Sequence, residues 1–582
     1  MWRVSALVSV LVMLLFSSCP ARAPHADWLF TGGMVYDGSG ADGRLADVAV
    51  TDGTIAAVGA LDGWTAKRRI ELDGRAIAPG FVDMHSHADL ILLSPNAEML
   101  LRNKLRQGVT TVVVGNCGLG PAPANADGAR ILAALNGWMT PDGVEAGALD
   151  FAAYLAAIEA AGPPVHVASL VPHGPLRVSE RGLEGGAPSA DALDRMRAAL
   201  DDALDAGGFG LSFGLIYPPG MFSDTDELAA LAERVAARDG LVALHVRGSS
   251  ETLLDATDEL LAVAGRSGVR VHHSHLEAVG EPFWPSIVDV LSREDAARAE
   301  GLDVSHDMFP YSRAATMMSA IFPPDALDGG VAALLERLSD PHERTRLSRD
   351  LETRIPEWPP WREGGWPHNL VSAVGWDGIR VASVGSGDAP DLTGRSLAEL
   401  AARTGKPPFD LVADLMLQEG GNVGQWVDEI SGREDAPGGL AELERILVHP
   451  AGAVVSDAED YGRGSPHPAH AGAFARALRW NRERHLLPWG EMIRKMTAWP
   501  AERIGLPLRG RLAPGAPADL VVLDLDAVAD RADWSRPRTA AAGVDWVFVG
   551  GHAVVEEGEY RGGAPGRVLR RGEGVDEHAH AP

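Results

Sequence analysis

The 582 residues are enough for one large α/β domain with appended segments, and 46% hydrophobic content excludes wholesale disorder. A net charge of −28 argues against a nucleic-acid partner, because no phosphate-neutralising surface accompanies it. The two cysteines, Cys19 and Cys117, do not make a disulfide framework, since Cys19 falls in a stretch with the pattern of a removable leader. Cys117 is then a free thiol, a core residue or a metal ligand.

Residues 1–23 have the pattern of a signal peptide. Their apolar stretch, 6–16, is too short to span a bilayer permanently, and Ala-Arg-Ala at 21–23 fits a cleavage site. Phe-Ser-Ser-Cys at 16–19 also resembles a lipoprotein processing box. We therefore expect an exported protein of the periplasm or cell envelope, either soluble or anchored through a lipid on Cys19.

Short β-strands separated by Gly and Asp turns are predicted over residues 24–77, and the same texture returns over 505–561. We expect these two segments to form one small β-sandwich domain built from both chain ends. The tail, 562–582, is expected to be mobile. Its two histidines, His578 and His580, are more consistent with a free tail than with a metal site.

Between the two β segments, over 78–504, apolar runs alternate with helical stretches, which is typical of repeated βα units. Eight such runs predict the α/β class and a (β/α)8, TIM-type barrel. A long stretch, 312–448, is expected to be an insertion over the barrel mouth, with helices at 396–404 and 409–418. The predicted strands are 81–82, 110–114, 165–170, 210–213, 241–245, 269–275, 302–306 and 453–456, and the other predicted helices are 97–107, 190–206, 226–238, 250–264 and 491–496.

Two histidines, His85 and His87, follow the first predicted barrel strand. On an extended backbone, residues two apart face the same side, so both imidazoles can reach one point. Neutral imidazole is a common ligand of zinc. Such pairs are more often incidental, but the Pro-Gly turn at 79–80 fixes the approach, and we expect Asp83 to orient one ring.

Four more residues, Cys117, His245, His275 and Asp457, each follow a predicted strand at its carboxyl end, where barrel active sites lie. Each has a structural alternative: an inert core thiol, a hydrogen-bonded core histidine or a helix-capping carboxylate. Their convergence with the first two histidines instead favours Zn²⁺ held by a thiolate and imidazoles. Asp457 is predicted to be both a ligand and the catalytic general base.

The motifs around these residues resemble the amidohydrolase superfamily, in particular its D-aminoacylase (N-acyl-D-amino-acid deacylase) branch. The resemblance implies a zinc enzyme that hydrolyses the C–N bond of a small linear amide. It also implies a tight metal site at Cys117, His245 and His275, and a weaker one at His85, His87 and Asp457. The motifs are at 79–89, 107–111, 115–118, 210–212, 214–220, 274–276, 307, 310–311, 496–497, 500–501 and 515–520.

Three positions depart from that branch. Its relatives typically carry Lys, Tyr and Arg where this chain has Glu277, Phe309 and Ala469, and those groups would hold a substrate carboxylate. Because an acid at Glu277 repels an anion, we expect a substrate that lacks a free α-carboxylate or carries a cation at that place. Candidate substrate-binding residues are Tyr217, Glu277, Tyr311 and Arg463, and Arg177 and Arg247 are further candidates for the missing positive charge.

Two other functions remain open from the sequence. One is ring opening or deamination on the same scaffold. Relatives of that kind favour two metals bridged by a carboxylated lysine, and no lysine follows a predicted barrel strand here. The other is a non-catalytic, metal-bearing envelope protein. The oligomeric state is not predicted.

Overall fold

The computed structural model describes residues 24–361 and 365–572, so the predicted leader, Cys19, His578 and His580 lie outside the described residues. The strands are β1 His25–Val35, β2 Arg44–Thr51, β3 Thr54–Gly59, β4 Thr65–Glu71, β5 Ala76–Pro79, β6 Phe81–Asp83, β7 Val109–Val114, β8 His166–Ser169, β9 Val171–Pro172, β10 Gly210–Gly214, β11 Leu241–His245, β12 Arg270–His273, β13 Val304–Met308, β14 Arg313–Met317, β15 Ile379–Val384, β16 Val423–Asp428, β17 Gly452–Val454, β18 Leu520–Leu523, β19 Val544–Val549, β20 His552–Glu556 and β21 Glu559–Tyr560.

The described α-helices all lie between β6 and β18. They are α1 Ala97–Arg106, α2 Ala126–Leu135, α3 Phe151–Ala161, α4 His173–Arg181, α5 Ala190–Asp205, α6 Thr225–Ala236, α7 Leu253–Ser267, α8 Ser286–Ala299, α9 Pro324–Leu327, α10 Gly330–Ser339, α11 Pro341–Thr353, α12 Leu370–Val374, α13 Leu397–Thr404, α14 Pro408–Gln418, α15 Ala441–Val448, α16 Ala469–Arg484, α17 Trp489–Met496 and α18 Ala498–Ile504. None of the helices within residues 24–361 and 365–572 is long and apolar enough to cross a membrane.

Both ends of the described chain contribute to one nine-stranded sheet. Its order is β21-β20-β19-β18-β5-β1-β2-β3, with β4 paired to β1. The antiparallel pairing of β18 with β5 joins the two ends, and Phe30, Ile77 and Phe548 pack in the core cluster beside it. The sequence predicts two strands, 28–30 and 34–36, where β1 runs continuously over His25–Val35. A bulge between Phe30 and Gly33 absorbs the irregularity, and a Cβ at Gly33 would lie 2.2 Å from the Leu72 side chain.

The predicted βα units are present as parallel strands in two sheets. β6, β7 and β8 form one sheet, and β9, β10, β11, β12, β13 and β17 form the other in that order. The third predicted strand, 165–170, corresponds to β8, and the short β9 follows after one residue, Leu170. Buried side chains from five of these strands, Val82, Val113, Ala168, Ala243 and Ala453, pack in one cluster. Strands of the two sheets therefore share one apolar core cluster.

The expectation of a mobile tail is wrong for its first part. Val568 pairs in parallel with Val167 of β8, and the backbone N–H of Leu569 donates to the Val167 carbonyl oxygen at 2.7 Å. Val568 and Leu569 are both buried, and Leu569 joins the same interior cluster as the strands. The two apolar residues stand in an otherwise polar segment, and their burial against the strands fixes the chain there.

The stretch between β13 and β17 contains a sheet that the sequence analysis did not predict. The order of this antiparallel sheet is β14-β16-β15. The two predicted helices of this stretch are confirmed as α13 and α14. The strand β14, Arg-Ala-Ala-Thr-Met, lacks the β-branched and aromatic enrichment that marks a strand in sequence.

Candidate active site

The six predicted metal ligands all lie at the carboxyl ends of the parallel strands. His85 and His87 follow β6, Cys117 follows β7, and His245 is the last residue of β11. His275 follows β12, and Asp457 follows β17. The side chains are buried, apart from Asp457 at 14% exposure and His87 at 11%. Residues far apart in sequence are thus collected at one edge of the two sheets.

Two overlapping groups could each hold a metal ion, and both include His85. In the first, the Cys117 Sγ atom lies 3.2 Å from His85 Nε2 and 3.6 Å from His275 Nε2. In the second, Asp457 Oδ1 lies 3.4 Å from both His85 Nε2 and His87 Nε2. His85 therefore lies beside Cys117 and His275, and His245, which the resemblance groups with those two residues, packs against His275 and lines the same cavity.

The backbone turns sharply at three of these residues. Cys117, His275 and Asp457 have φ angles of 52°, 34° and 45°, in the left-handed region that residues other than glycine rarely adopt. Such strain persists only where the surrounding structure enforces it, and it is concentrated at functional sites. Gly214 shows that enforcement, since a Cβ there would lie 1.8 Å from the Cys117 carbonyl oxygen.

Asp307, in β13, orients two of the candidate ligands at once. Its Oδ2 lies 3.1 Å from His85 Nδ1 and 2.9 Å from His272 Nε2, and its Oδ1 accepts a 2.5 Å hydrogen bond from the His275 backbone N–H. Burial would raise the pKa of Asp307, but the charge of His85 and these hydrogen bonds hold it well below its usual range. A carboxylate on the distal ring nitrogen fixes the tautomer that presents Nε2 to a metal.

The expectation that Asp83 orients a histidine is wrong. Asp83 instead receives hydrogen bonds from Lys104 Nζ at 2.7 Å and from the Ser456 hydroxyl at 2.6 Å. Lys104, which is 1% exposed, also lies 2.7 Å from Glu459. Glu459 in turn accepts a hydrogen bond from the His87 backbone N–H at 3.2 Å. This buried network of Lys104, Asp83 and Glu459 bonds the His87 backbone and so supports the turn that carries the candidate ligands after β6.

The electrostatics of the metal-free cluster favour a thiolate. Burial opposes ionisation of Cys117, but the positive charge of His85 and hydrogen bonds with His245 and His275 bring the thiol pKa well below its usual range. Burial lowers the pKa of His275, yet its hydrogen bond to Cys117 and the charge of Glu277 raise it to about 9. In the metal-free cluster these shifts favour a Cys117 thiolate beside a protonated His275.

His87 and His245 behave oppositely. Burial lowers the pKa of His87, but hydrogen bonds with Asp457 and Cys117 raise it to about 10. Burial and the charge of His275 lower the pKa of His245 to about 4, so this imidazole is neutral at pH 7. Neutral imidazole is the form that binds a metal.

The donor set fits a zinc-type ion. His245 packs edge-on against His275, with 4.3 Å between ring centroids, and at least one ring nitrogen of His245 is buried without a hydrogen-bond partner. Nδ1 of His275 and Nδ1 of His87 are also buried without a partner. Buried polar atoms are rarely left unpaired in this way. Thiolate and imidazole donors together are the usual zinc ligands.

Two adjoining cavities open on the cluster, and His87, Trp138, Ala315, Thr316 and Asp457 line both of them. Ala315 and Thr316 belong to β14, so the insertion supplies part of the wall. Each cavity holds about 50 Å³, which exceeds the space that a water molecule needs. The first cavity also contains Cys117, His245, His275 and Glu277, and the second contains Tyr461, Arg463 and His467.

Three of the four predicted substrate-binding residues line these cavities. Tyr217 and Glu277 line the first, and the Tyr217 hydroxyl lies 2.9 Å from that of Thr316. Arg463 lines the second. Tyr311 lines neither: its ring packs under Arg476, 4.0 Å from the ring centroid, and edge-on to His467. The structure therefore does not bring Tyr311 to the cluster.

The two further candidates for a positive charge are also excluded from the first cavity. Arg247 is fully buried and bonds Glu259 at 2.7 Å and 3.2 Å. Arg177 is fully buried against Glu227, with Nε 3.1 Å from a carboxylate oxygen. Each of these arginines neutralises a buried acid beside a helix, so neither is available to a substrate.

Trp138, Thr316 and His368 line the first cavity although the sequence did not predict them there. Asp307 and Lys104 had no predicted role. Trp138 lies in the turn Gly137–Met139, and Thr316 and His368 lie in the insertion. Only Asp307 carried a signal, as a motif position directly after the predicted strand 302–306. The others depend on how loops fold over the strands.

The parallel strands, the ligand cluster at their carboxyl ends and the sheet from both chain ends define a class of protein, and residues 68–555 match the amidohydrolase family. The chain belongs to the amidohydrolase family. Within it, the chain falls in the D-aminoacylase-like branch, as the relatives and solved structures show.

The relatives align over almost the whole chain. N-acyl-D-glutamate deacylase of Alcaligenes xylosoxydans xylosoxydans is 36% identical over 551 residues, which cover 94% of this chain and 96% of that protein. A crystal structure of N-acyl-D-glutamate deacylase from Bordetella bronchiseptica, with zinc and a phosphonate mimic of the tetrahedral intermediate, has a TM-score of 0.74 and 32% identity over 94% of this chain and 100% of that one.

A D-aminoacylase structure, described as having a binuclear metal centre with one-metal activation and second-metal attenuation, has a TM-score of 0.75. It is 32% identical to this chain, over 94% of this chain and 100% of that one. The present chain likewise has groups of side chains that could hold a metal ion.

Proposed function

We propose that this chain is a zinc-dependent hydrolase that cleaves the C–N bond of a linear N-acyl compound. The observation that carries the proposal is the convergence of Cys117, His85, His275 and Asp457 at one point between two cavities. Those residues, with His87 and His245, would hold the metal. When bound, zinc supplies Lewis-acid polarisation of the amide carbonyl and lowers the pKa of a bound water.

Asp457 is the proposed general base. Burial would raise its pKa, but the charge of His85 and the hydrogen bond with His87 hold the pKa below its usual range, so the carboxylate is ionised at pH 7. Its side chain faces both cavities. It can therefore accept a proton from the attacking water and return it to the leaving nitrogen. Asp307 and the Lys104 ion pair keep the surrounding groups in position.

We further infer that the two parallel sheets are one (β/α)8 barrel. Only Leu170 separates β8 from β9, and at the other edge the Asp457 N–H donates to the His85 carbonyl oxygen at 3.1 Å. The nine-stranded sheet would then fold as a β-sandwich. In this reading the sandwich takes 24–77 and 505–561, and the barrel takes 78–504 with the insertion at 312–448.

Glu277 sets the proposed specificity. Its carboxylate lies in the wall of the first cavity, 12% exposed, and its nearest polar neighbours are the Ser249 hydroxyl at 3.4 Å and His275 Nδ1 at 3.9 Å. No Lys or Arg lines that cavity among the described residues. Burial raises the pKa of Glu277 to about 7. A free α-carboxylate would meet a second acid there, whereas an amide N–H or an ammonium group would be bound.

A matched substrate panel tests this function. N-acetyl-D-amino acids with a free carboxylate are compared with their carboxamides and with basic D-amino-acid derivatives, in the wild type and in Glu277→Lys and Glu277→Gln. We expect the wild type to prefer the amides and basic derivatives, and Glu277→Lys to shift the preference towards free carboxylates. Strong wild-type turnover of acidic and neutral N-acyl-D-amino acids would contradict the specificity, and no turnover of any amide by the metal-loaded protein would contradict the function.

We also propose export directed by residues 1–23, with Cys19 as the site of a lipid if the lipoprotein box is used. Fractionation of cells that make the full chain, a Cys19→Ser variant and a chain without 2–23 distinguishes the cases. Envelope location only with the leader supports export. Release of the Cys19→Ser variant from the membrane fraction supports the lipid anchor.

A further inference from the structure

A third cavity, larger than the other two, lies between α2 and the segment 140–148. It measures about 790 Å³, within the range of about 300–1,000 Å³ that is usual for small-molecule sites. Its lining is largely apolar, and the charged Arg130, Asp142 and Glu145 are also among its lining residues. The apolar lining residues include Leu90, Pro121, Ala129, Leu132, Ala133 and Val144. We call this cavity the α2 groove.

The α2 groove shares a lining residue with the second metal-site cavity. Arg463 lines both the groove and the second metal-site cavity. Gly137 lines the groove, and its neighbour Trp138 lines both metal-site cavities. The Arg463 guanidinium donates to the Gly137 carbonyl oxygen. Arg463 and the turn Gly137–Met139 therefore belong to the wall that the groove shares with the metal-site cavities.

The two sides of the cluster differ in chemistry. Glu277 lines the first cavity and not the second, whereas Arg463 lines the second and not the first. A polar or cationic leaving amine suits the acidic side at Glu277. The acyl part of the same substrate then points towards Arg463, Trp138 and the apolar groove beyond them.

We propose that the α2 groove is a subsite for the hydrocarbon part of a long-chain acyl group whose amide lies at the metal cluster, and that the chain passes between the two spaces beside the Arg463 side chain. This inference rests on the proposed function, because it needs an acylated amine as substrate. Burying each additional methylene in such a groove is worth about 0.8 kcal/mol, which is about fourfold in kcat/KM. The rise ends when the chain fills the groove.

A ladder of substrates with one amine and linear acyl groups of increasing length, from acetyl to dodecanoyl, tests the subsite. Two neighbouring positions of α2 provide a matched pair: Ala133 lines the groove, Ala134 does not, and both are exposed. Ala133→Trp fills the groove without touching the cluster. We expect the wild type and Ala134→Trp to show the rise in kcat/KM, and Ala133→Trp to lose it while its acetyl turnover stays within about twofold.

A flat ladder in the wild type, or an unchanged ladder in Ala133→Trp, would overturn the subsite while leaving the amide hydrolase intact. Failure of every substrate, including acetyl, would be a failure of the proposed function. In that event calorimetric titration with dodecanoate decides the groove. Binding by the wild type and Ala134→Trp that Ala133→Trp loses supports the subsite, and no binding, or equal binding by all three proteins, overturns it.

Discussion

Replacement of Asp307 by Asn removes the one group that orients two candidate metal ligands. The Asp307 carboxylate accepts from His85 and His272 through one oxygen and from the His275 backbone N–H through the other. An Asn side chain keeps one acceptor and places an N–H₂ group where the second acceptor was. If its oxygen stays on the His275 N–H, its N–H₂ group faces the two imidazoles.

The expected loss can be estimated from these contacts. Removal of a group that orients a metal ligand typically lowers metal affinity by about 10- to 100-fold, or about 1.4–2.7 kcal/mol. The metal-free protein also loses a buried, charge-assisted contact with His85, and breaking such a pair costs about 3–5 kcal/mol of unfolding free energy. Both effects share one cause, so they should appear together in one variant.

The assay is zinc titration against a competing chelator, combined with urea unfolding of the metal-free protein. Asp303→Asn is the control, because Asp303 immediately precedes β13 at its opposite end and its carboxylate pairs with Arg503. We expect Asp303→Asn to bind zinc as the wild type does. Wild-type zinc affinity in Asp307→Asn would refute the claim that Asp307 organises the site.

Three further outcomes are expected. Asp457→Asn should retain metal at the cysteine group and lose about 10²- to 10⁴-fold in kcat, measured by amine release, whereas unchanged kcat would remove Asp457 as the base. Lys104→Met should lower the unfolding free energy by about 3–5 kcal/mol because it leaves Asp83 and Glu459 buried without a cation. The control is Lys406→Met, which removes an exposed ion pair and should change the unfolding free energy by less than about 1 kcal/mol. Burial would raise the pKa of Glu294, but the charge of His306 and a hydrogen bond with His273 hold that pKa well below the unfolded value of 4.5. The Glu294 carboxylate therefore contributes its full stabilisation above pH 4.5, and this contribution falls as the pH drops below 4.5. The difference in unfolding free energy between the wild type and Glu294→Gln should therefore shrink below about pH 4.5, and a constant difference between pH 6 and pH 3.5 would contradict this assignment.

The ligand positions could be predicted because each follows a short apolar run. A strand with apolar residues on both faces reads as a continuous run, and a His, Cys or Asp at its end is conspicuous. This pattern located Cys117, His245 and Asp457. The family resemblance then implied how they group, although the structure places His85 in both groups.

Residues behind the ligands could not be predicted in the same way. Asp83 is two residues before His85, but β6 ends at Asp83, so the alternation of side-chain directions does not continue to the histidine. Asp83 turns to Lys104, and Asp307 from a distant strand takes the place beside the ring. Pairings of this kind depend on strand neighbours and not on local spacing.

The insertion gave the least reliable sequence signals. Thr316 and His368 enter the first cavity from this stretch, which carries no motif that points to the cluster. Tyr311, which directly precedes this stretch, was expected in the pocket and instead packs between Arg476 and His467. The course of a long irregular stretch over the strands is set by its tertiary packing, which sequence periodicity does not encode.

The central claim is that Cys117 is a thiolate ligand at the metal that supports amide hydrolysis. Cobalt titration of the metal-free protein tests it directly, with sulfur-to-cobalt charge-transfer absorption and amide turnover followed in the same samples. We expect absorption and turnover to rise together with the first cobalt bound, and Cys117→Ser to lose the absorption. Full turnover without that absorption in the wild type, or the same absorption in Cys117→Ser, would contradict the account.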